Sequence, residues 1–319
     1  MPTPTRVLLW TDTPAAYQEA IAAANLSTRV AVETLARKDS PSADHRAGVE
    51  AMLALSAPPG LLPAMASLRW IQGLTAGIEG WLALPDLPPG LALTSARGTH
   101  RESMPENIVG ALFHIAKPYA AIVDDNKAAT WTRRMATPLN GATLGILGLG
   151  AIGQDLARMA SAIGMRVIGT RRTQGALPGV AEVYPPEQTS EVLRQSDYLV
   201  VLLPSTPTTD NSVNSAMLAP MKKGAWLLNF GRGALIVDAD LIAATASGHL
   251  AGAILDVFRT EPLPASHPFW TAPGIMILPH IGGGHPDRDR TVAKLFVDNL
   301  TRFLDGKPLR ELVDRGAGY

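Results

Sequence analysis

Ala142-Thr143-Leu144-Gly145-Ile146-Leu147-Gly148-Leu149-Gly150-Ala151-Ile152-Gly153 reads as a short apolar strand that runs into a glycine turn and then a helix. Residues 152–163 have the spacing of an amphipathic helix, so the glycines fall at the strand-to-helix turn. In such a setting Gly148 permits the tight turn, Gly150 lets a phosphate approach the backbone, and Gly153 lets helix and strand pack closely. The amides and dipole at the helix start then favour an anion, with Leu149, Ala151 and Ile152 completing the cradle. In isolation the glycine string is as readily an ordinary turn as a dinucleotide cradle. The strand–turn–helix context favours the cradle.

Working outward, the same rhythm recurs on both sides. Upstream, residues 6–10, 29–35, 51–56, 68–73 and 91–95 read as short strands separated by Pro, Gly and Asp, with an Ala-rich helix over 14–24 that a threonine would cap. Downstream, residues 142–148, 165–170, 198–203, 225–230, 249–256 and 274–279 form a second series with the length of buried parallel strands. The alternation predicts an α/β protein with two doubly wound parallel-sheet domains. Between the series, residues 102–125 read as one long helix, buried through 108–123, and residues 130–141 as a connecting arm. The last stretch, 287–304, is helical in pattern and is expected to pack back on the first domain.

Bulk properties narrow the function classes. The chain has 319 residues, enough for two cores, with 28 basic and 28 acidic side chains, so no bulk charge attracts nucleic acid or an anionic membrane. There is no cysteine, which excludes disulfides and thiol chemistry, and no metal site is expected. Residues 1–10 lack a charged leader with an apolar core, and the longest apolar stretch is interrupted by His114, Lys117 and Pro118. The expectation is a cytoplasmic protein without a membrane span.

Two further constellations carry chemistry. The strand after the glycine turn ends in Gly169-Thr170-Arg171-Arg172-Thr173. An NAD site places an acid there, about 20 residues beyond the glycines, for the ribose hydroxyls. Two arginines stand instead, and a guanidinium fork suits the extra 2′-phosphate of NADP; two solvated loop arginines are the alternative. NADP(H) is therefore expected over NAD(H). Three more strands run into Arg232, Glu261 and His280. Ligands of open α/β sheets bind beyond the carboxyl ends of the strands, so the three can converge. Histidine delivers protons near neutral pH, a carboxylate beside it favours the imidazolium and orients the ring, and arginine grips a substrate carboxylate while polarising the adjacent ketone. Singly, a strand-end histidine is often a satisfied polar group, and Glu261 before a proline a solvated turn. Jointly, at one sheet edge behind a phosphate turn, they point to hydride transfer on a small keto acid. His45, His100, His114, His249 and His267 have no comparable setting, and His285 is a second candidate for substrate contact.

Gly148-Leu149-Gly150-Ala151-Ile152-Gly153, Asn229-Phe230-Gly231-Arg232-Gly233, Leu255-Asp256-Val257-Phe258 through Glu261-Pro262, and Leu278-Pro279-His280-Ile281-Gly282 together resemble the D-isomer-specific 2-hydroxyacid dehydrogenases. The resemblance covers most of residues 141–283, and the run from Gly248-His249-Leu250 to His267-Pro268-Phe269-Trp270 is most similar to the glyoxylate/hydroxypyruvate reductase branch. It implies a Rossmann-type cofactor domain over 103–285 inserted in a flavodoxin-like substrate domain over 1–102 plus 286–319. It implies that Arg232 binds substrate, that His280 is the acid/base and that Glu261 is its partner. Cofactor contacts are implied for Met104, Thr170, Leu203, Pro204, Thr209, Phe230, Gly231, Asp256, Gly282 and Gly283. Thr75, Ala76 and Gly77 resemble the loop whose amides hold the substrate carboxylate, although an ordinary glycine turn has the same appearance. Nicotinamide is expected in the cleft between the domains, and a homodimer through the long helix and the arm.

The chain also departs from the family pattern. Met104-Pro105-Glu106-Asn107 stands where an Ala-Glu pair and an aromatic or histidine are usual, and Gly282-Gly283-Gly284-His285-Pro286 where a small residue and Ser or Thr follow the histidine. The expected activity is NADPH-dependent reduction of a small 2-keto acid to the D-2-hydroxy acid, with His280 as proton donor. A non-catalytic nicotinamide sensor that binds a partner protein is the first alternative, and the intact Arg/Glu/His set counts against it. A related dehydrogenase acting on formate or phosphite is the second. The formate enzymes pair their histidine with glutamine, so Glu261 counts against that one.

Overall fold

The computed structural model describes residues 3–316, which divide into two compact units, 3–99 with 285–316 and His100–Gly284. The first unit carries β1 (Thr5–Trp10), β2 (Val30–Leu35), β3 (Ala51–Ala54), β4 (Trp70–Gly73) and β5 (Ala92–Thr94) in the order β2-β1-β3-β4-β5. All neighbours are parallel, with Val7 opposite both Val32 and Ala51. Every residue of β3 and β4 is buried, as expected for a sheet covered on both faces. The one polar intruder, Gln72, is satisfied: its amide donates to Gly73 O and Ser95 O, and its oxygen accepts from Thr94 and Asn299.

The helix Arg288–Leu304 does pack in this unit. Val292, Phe296 and Leu300, spaced by four, form one stripe against the sheet, and Phe296 stacks on Trp70 with ring centroids 5.5 Å apart. The threonine cap expected on the Ala-rich helix, Pro14–Ala23, does not form. Thr13 makes no side-chain cap bond and instead donates its hydroxyl to Asp289 at 2.6 Å, a charge-assisted bond stronger than a neutral cap.

The second unit is a seven-stranded parallel sheet of β6 (Thr143–Leu147), β7 (Arg166–Thr170), β8 (Glu182–Tyr184), β9 (Tyr198–Val201), β10 (Ala225–Asn229), β11 (Leu250–Leu255) and β12 (Ile275–Ile277). Their order is β12-β11-β10-β9-β6-β7-β8, so the direction of winding reverses between β6 and β9, where a doubly wound sheet opens its ligand crevice. Both units thus have the doubly wound architecture read from the sequence, with the Rossmann order in the second. β8 went unread because it is a short, mostly polar edge strand.

The long helix over 102–125 is two helices, Ser103–Ala116 and Tyr119–Lys127. Pro118 excludes the α region for Lys117, whose φ and ψ are −117° and 138°, and it has no N–H to continue the ladder. Only the first helix is buried, through Ile108 and Leu112 against the helix Ala151–Ala162; the second buries no side chain.

Ahead of that buried helix, Arg101 grips the buried Asp155 with two bonds of 2.6 and 3.1 Å, and Arg158 adds a third at 2.5 Å. The Arg101 bonds lead in holding the Asp155 carboxyl below its ordinary value. A depressed carboxyl stabilises the fold above its unfolded value of 3.8 and ceases to as pH falls through its lower folded value. Asp155→Asn is therefore expected to cost about 1 kcal/mol at neutral pH, a small figure because both guanidinium partners are solvent-screened. The melting-temperature difference from the parent should shrink as pH falls below 3.8 and vanish once pH lies beneath the carboxyl's lower folded value; a difference that persists in stronger acid would assign the effect to packing.

Candidate active site

The glycine turn fits a dinucleotide. Gly148 has a φ of +104°, and a side chain there would bring its Cβ to 3.0 Å from Leu202 O. A Cβ on Gly153 would stand 2.4 Å from Gly148 O, so helix and turn touch as the spacing predicts. Above Gly150 the space is open, with nothing within 4 Å. Gly150 is the cap of the helix Ala151–Ala162, whose first-turn amides have no partners within the helix. Backbone donors therefore face room for a phosphate.

β7 ends at the buried Thr170, whose carbonyl accepts from Leu149 N at 2.9 Å and ties this strand end to the glycine turn. Arg171 is half-buried, its amide bonded to Tyr184 O and its carbonyl to the Gln174 side chain; Arg172 is exposed. Past β9, Leu203 and Pro204 open a loop closed by Thr209, whose hydroxyl donates to Pro204 O at 2.6 Å and accepts from Thr206 N at 2.8 Å. A Cβ on Gly231 would meet Leu203 O at 2.7 Å, and Phe230 is buried beneath. Met104 packs its half-buried side chain on the core of this unit.

β10, β11 and β12 are adjacent and in register, Asn229 opposite Leu255 and Leu255 opposite Ile277. Arg232, Glu261 and His280 follow these three strand ends, and neighbouring strands lie about 4.8 Å apart. Glu261 and His280 meet directly: Nδ1 lies 2.6 Å from Oε2, while Oε1 accepts from Phe258 N at 2.8 Å. The carboxylate is thus held by a backbone amide and holds the ring in turn, leaving Nε2 as the outward nitrogen. Arg232 sits on a braced turn: the buried Asn229 donates to Arg232 O at 2.9 Å and accepts from Gly231 N at 3.1 Å. A Cβ on Gly233 would stand 1.9 Å from the Phe258 carbonyl carbon, so the Arg232 turn lies against the segment that bonds Glu261. Arg259 staples the two segments, donating to Ala234 O at 3.0 Å and Ile236 O at 2.8 Å.

Asp256, 1 % exposed, accepts from Ile281 N at 2.7 Å and Gly282 N at 2.9 Å. Burial pushes its carboxyl up from the ordinary value, and these two amides pull against that shift. Gly282 cannot carry a side chain, since its Cβ would lie 2.6 Å from Asp256 Oδ2. At Gly283 the Cβ would lie 2.9 Å from the His100 ring, which occupies the place a serine would need and accounts for the glycine there. His45 pairs with Glu33, His267 with Asp238, and His249 bonds Leu218 O, so each of these three histidines has a structural partner.

Thr75, Ala76 and Gly77 follow β4 in the first unit, a turn closed by the Thr75 hydroxyl on Gly77 O at 2.7 Å and by Ala96 N on Thr75 O at 2.9 Å. The sequence reading assigned nothing to Asn229, Phe258 N, Arg259 or Asn107. Asn229 precedes the Gly-Arg-Gly turn, and that adjacency was the available signal; Phe258 N bonds Glu261 three residues on, a local contact that no side-chain pattern marks, and the partners of Arg259 and Asn107 lie too far along the chain to be read.

Residues 109–282 match the family model for the NAD binding domain of D-isomer specific 2-hydroxyacid dehydrogenases. The D-isomer specific 2-hydroxyacid dehydrogenase of Xanthobacter autotrophicus Py2 in complex with NADPH and MES superposes with a TM-score of 0.87 at 28% identity, over 99% of this chain and 100% of that one. A family protein from Aeromonas salmonicida gives 0.87 at 32% identity, over 98% and 100%. The NADPH-dependent glyoxylate/hydroxypyruvate reductase of Sinorhizobium meliloti, in complex with NADP and sulfate, gives 0.85 at 30% identity, over 99% and 100%.

Proposed function

The chain belongs to the D-isomer specific 2-hydroxyacid dehydrogenases, and on that premise we propose that it reduces a small 2-keto acid of the glyoxylate/hydroxypyruvate kind to the D-2-hydroxy acid, with NADPH preferred to NADH. The observation that carries the reading is the His280–Glu261 pair at 2.6 Å, set past the strand adjacent to the one that leads to Glu261, with Arg232 past the next strand at the same edge. When bound, the reduced nicotinamide supplies a hydride to the keto carbon. Arg232 grips the carboxylate and polarises the neighbouring carbonyl. His280, with Nδ1–H donating to Glu261, gives the Nε2 proton to the oxygen as negative charge develops there. The ring is left neutral, still bonded to the carboxylate through Nδ1.

The cofactor assignment extends to the residues around it. Amides of the glycine turn take the pyrophosphate, and Arg171 and Arg172 take the 2′-phosphate. Leu203, Pro204, Thr209, Phe230, Gly231, Asp256, Gly282 and Gly283 line the remainder, with Met104 in a packing role at their edge. Thr75, Ala76 and Gly77 are proposed as amide donors to the substrate carboxylate. The relatives solved with NADPH or NADP support the choice of cofactor.

A panel of 2-keto acids assayed with each nicotinamide tests the reading. NADPH oxidation with glyoxylate or hydroxypyruvate is expected; binding of NADPH without turnover on any member would leave the sensor in its place.

A homodimer is also proposed. Trp131 is 99% and Met135 82% exposed on the segment after the helix Tyr119–Lys127, which itself exposes Tyr119 and Val123. So much apolar surface in one stretch is typical of an interface between copies. Sedimentation at micromolar concentration should show a dimer that Trp131→Ser weakens, and a monomeric parent would rule it out.

A further inference from the structure

The backbone that carries His280 is not relaxed. His280 has a φ of +53°, a conformation that side-chain-bearing residues adopt rarely and that persists only where the surroundings impose it. The restraint on one side is Asp256, which takes the amides of Ile281 and Gly282. On the other side is the helix Ser103–Ala116. Asn107 donates its Nδ2 to Ile281 O at 3.2 Å and to Gly282 O at 3.0 Å, and Ser103 donates to Gly283 O at 3.3 Å. The two residues after His280 are therefore held by their N–H groups from one element and by their carbonyls from another.

We propose that Asn107 is a positioning residue for His280, its carboxamide clamping the carbonyls of Ile281 and Gly282 so that Nε2 is presented to the keto oxygen. This rests on the reading of His280 as proton donor. Both contacts of Asn107 are to carbonyl oxygens, so its side chain acts there as a hydrogen-bond donor. Asn107 also stands in the stretch that departs from the family pattern, and one of its two partners, Gly282, opens the other departing stretch. The two departures thus meet in one clamp. Proton delivery depends on geometry at the scale of an ångström, so loosening the clamp acts on the chemical step more than on binding.

The test compares the full chain with Asn107→Ala, Asn107→Asp and Asn107→Gln. Two readouts are taken: kcat and KM with glyoxylate and NADPH, and the imidazole Cε1 NMR signal of His280, assigned by its loss in His280→Asn. For Asn107→Ala, kcat is expected to fall about tenfold with both KM values within about twofold, and the His280 signal to shift or broaden while those of His45 and His249 stay. Asn107→Asp, which sets a carboxylate against two carbonyls, should do worse, and Asn107→Gln, which keeps a donor, should recover part of the loss. An unmoved His280 signal in both the Ala and Asp variants overturns the proposal, as does a fall in melting temperature with kcat unchanged. A parent that turns over no keto acid, yet whose His280 signal moves in these variants, would remove the proton-donor reading and leave the clamp standing.

Discussion

His280→Asn is expected to lower turnover by about 10²–10⁴-fold, the range that a positioned general acid contributes, while NADPH binding measured by fluorescence titration stays within about twofold. Asparagine is the informative replacement because of what it preserves. Its amide can still donate to Glu261 Oε2, as Nδ1 does now at 2.6 Å, so the carboxylate keeps a partner beside the Phe258 amide. What it lacks is a titrating nitrogen at the outward position, and with it the proton for the keto oxygen. The glycine turn and the β7 end, which are proposed to hold the cofactor, lie beyond other strands of the sheet. Retained turnover in this variant would remove His280 from the chemistry. Loss of NADPH binding along with turnover would instead mean that the 280–283 segment had collapsed.

Arg171→Ala combined with Arg172→Ala should lower the ratio of kcat/KM for NADPH to that for NADH by about 10- to 100-fold. Each charge-assisted bond to a phosphate contributes about 1.5–3 kcal/mol before screening, and one of these arginines is half-buried while the other is exposed, which places the pair at the lower end. The loss should appear as a higher KM for NADPH, with the constants for NADH nearly unchanged. Salt should also weaken NADPH binding more in the parent than in the variant, because exposed charge pairs are screened. An unchanged ratio would sink the phosphate clamp and return both arginines to solvated loop positions. The physical premise is that no carboxylate follows Thr170 to bond a ribose hydroxyl, while two guanidinium groups do.

How much could be read in advance varied with the range of the interaction. The glycine turn was legible because its function is local: strand, turn and helix are contiguous, and the close approach of Gly153 to Gly148 O spans five residues. The strand ends carrying Arg232 and His280 were legible for the same reason, as apolar runs ending in polar side chains. Local signals also misled. Pro118 split a helix whose apolar pattern continued past it, and Thr13 gave up its capping position for an aspartate 276 residues along the chain. In both cases a stronger constraint, a missing N–H or a charged acceptor, overrode a weak local preference.

The amino-acid sequence by itself determined the two parallel sheets, the dinucleotide turn, the pair of arginines after β7 and the three candidate residues, since each depends on periodicity or on neighbours in the chain. Only the tertiary structure decided which of them touch and what holds them. It brought Glu261 onto His280, Asp256 onto the amides of Ile281 and Gly282, and Asn107 onto their carbonyls. The reason is physical: a hydrogen bond forms between whatever donor and acceptor packing brings within about 3 Å, and separations of 19, 25 and 174 residues leave no trace of that closeness in the local pattern.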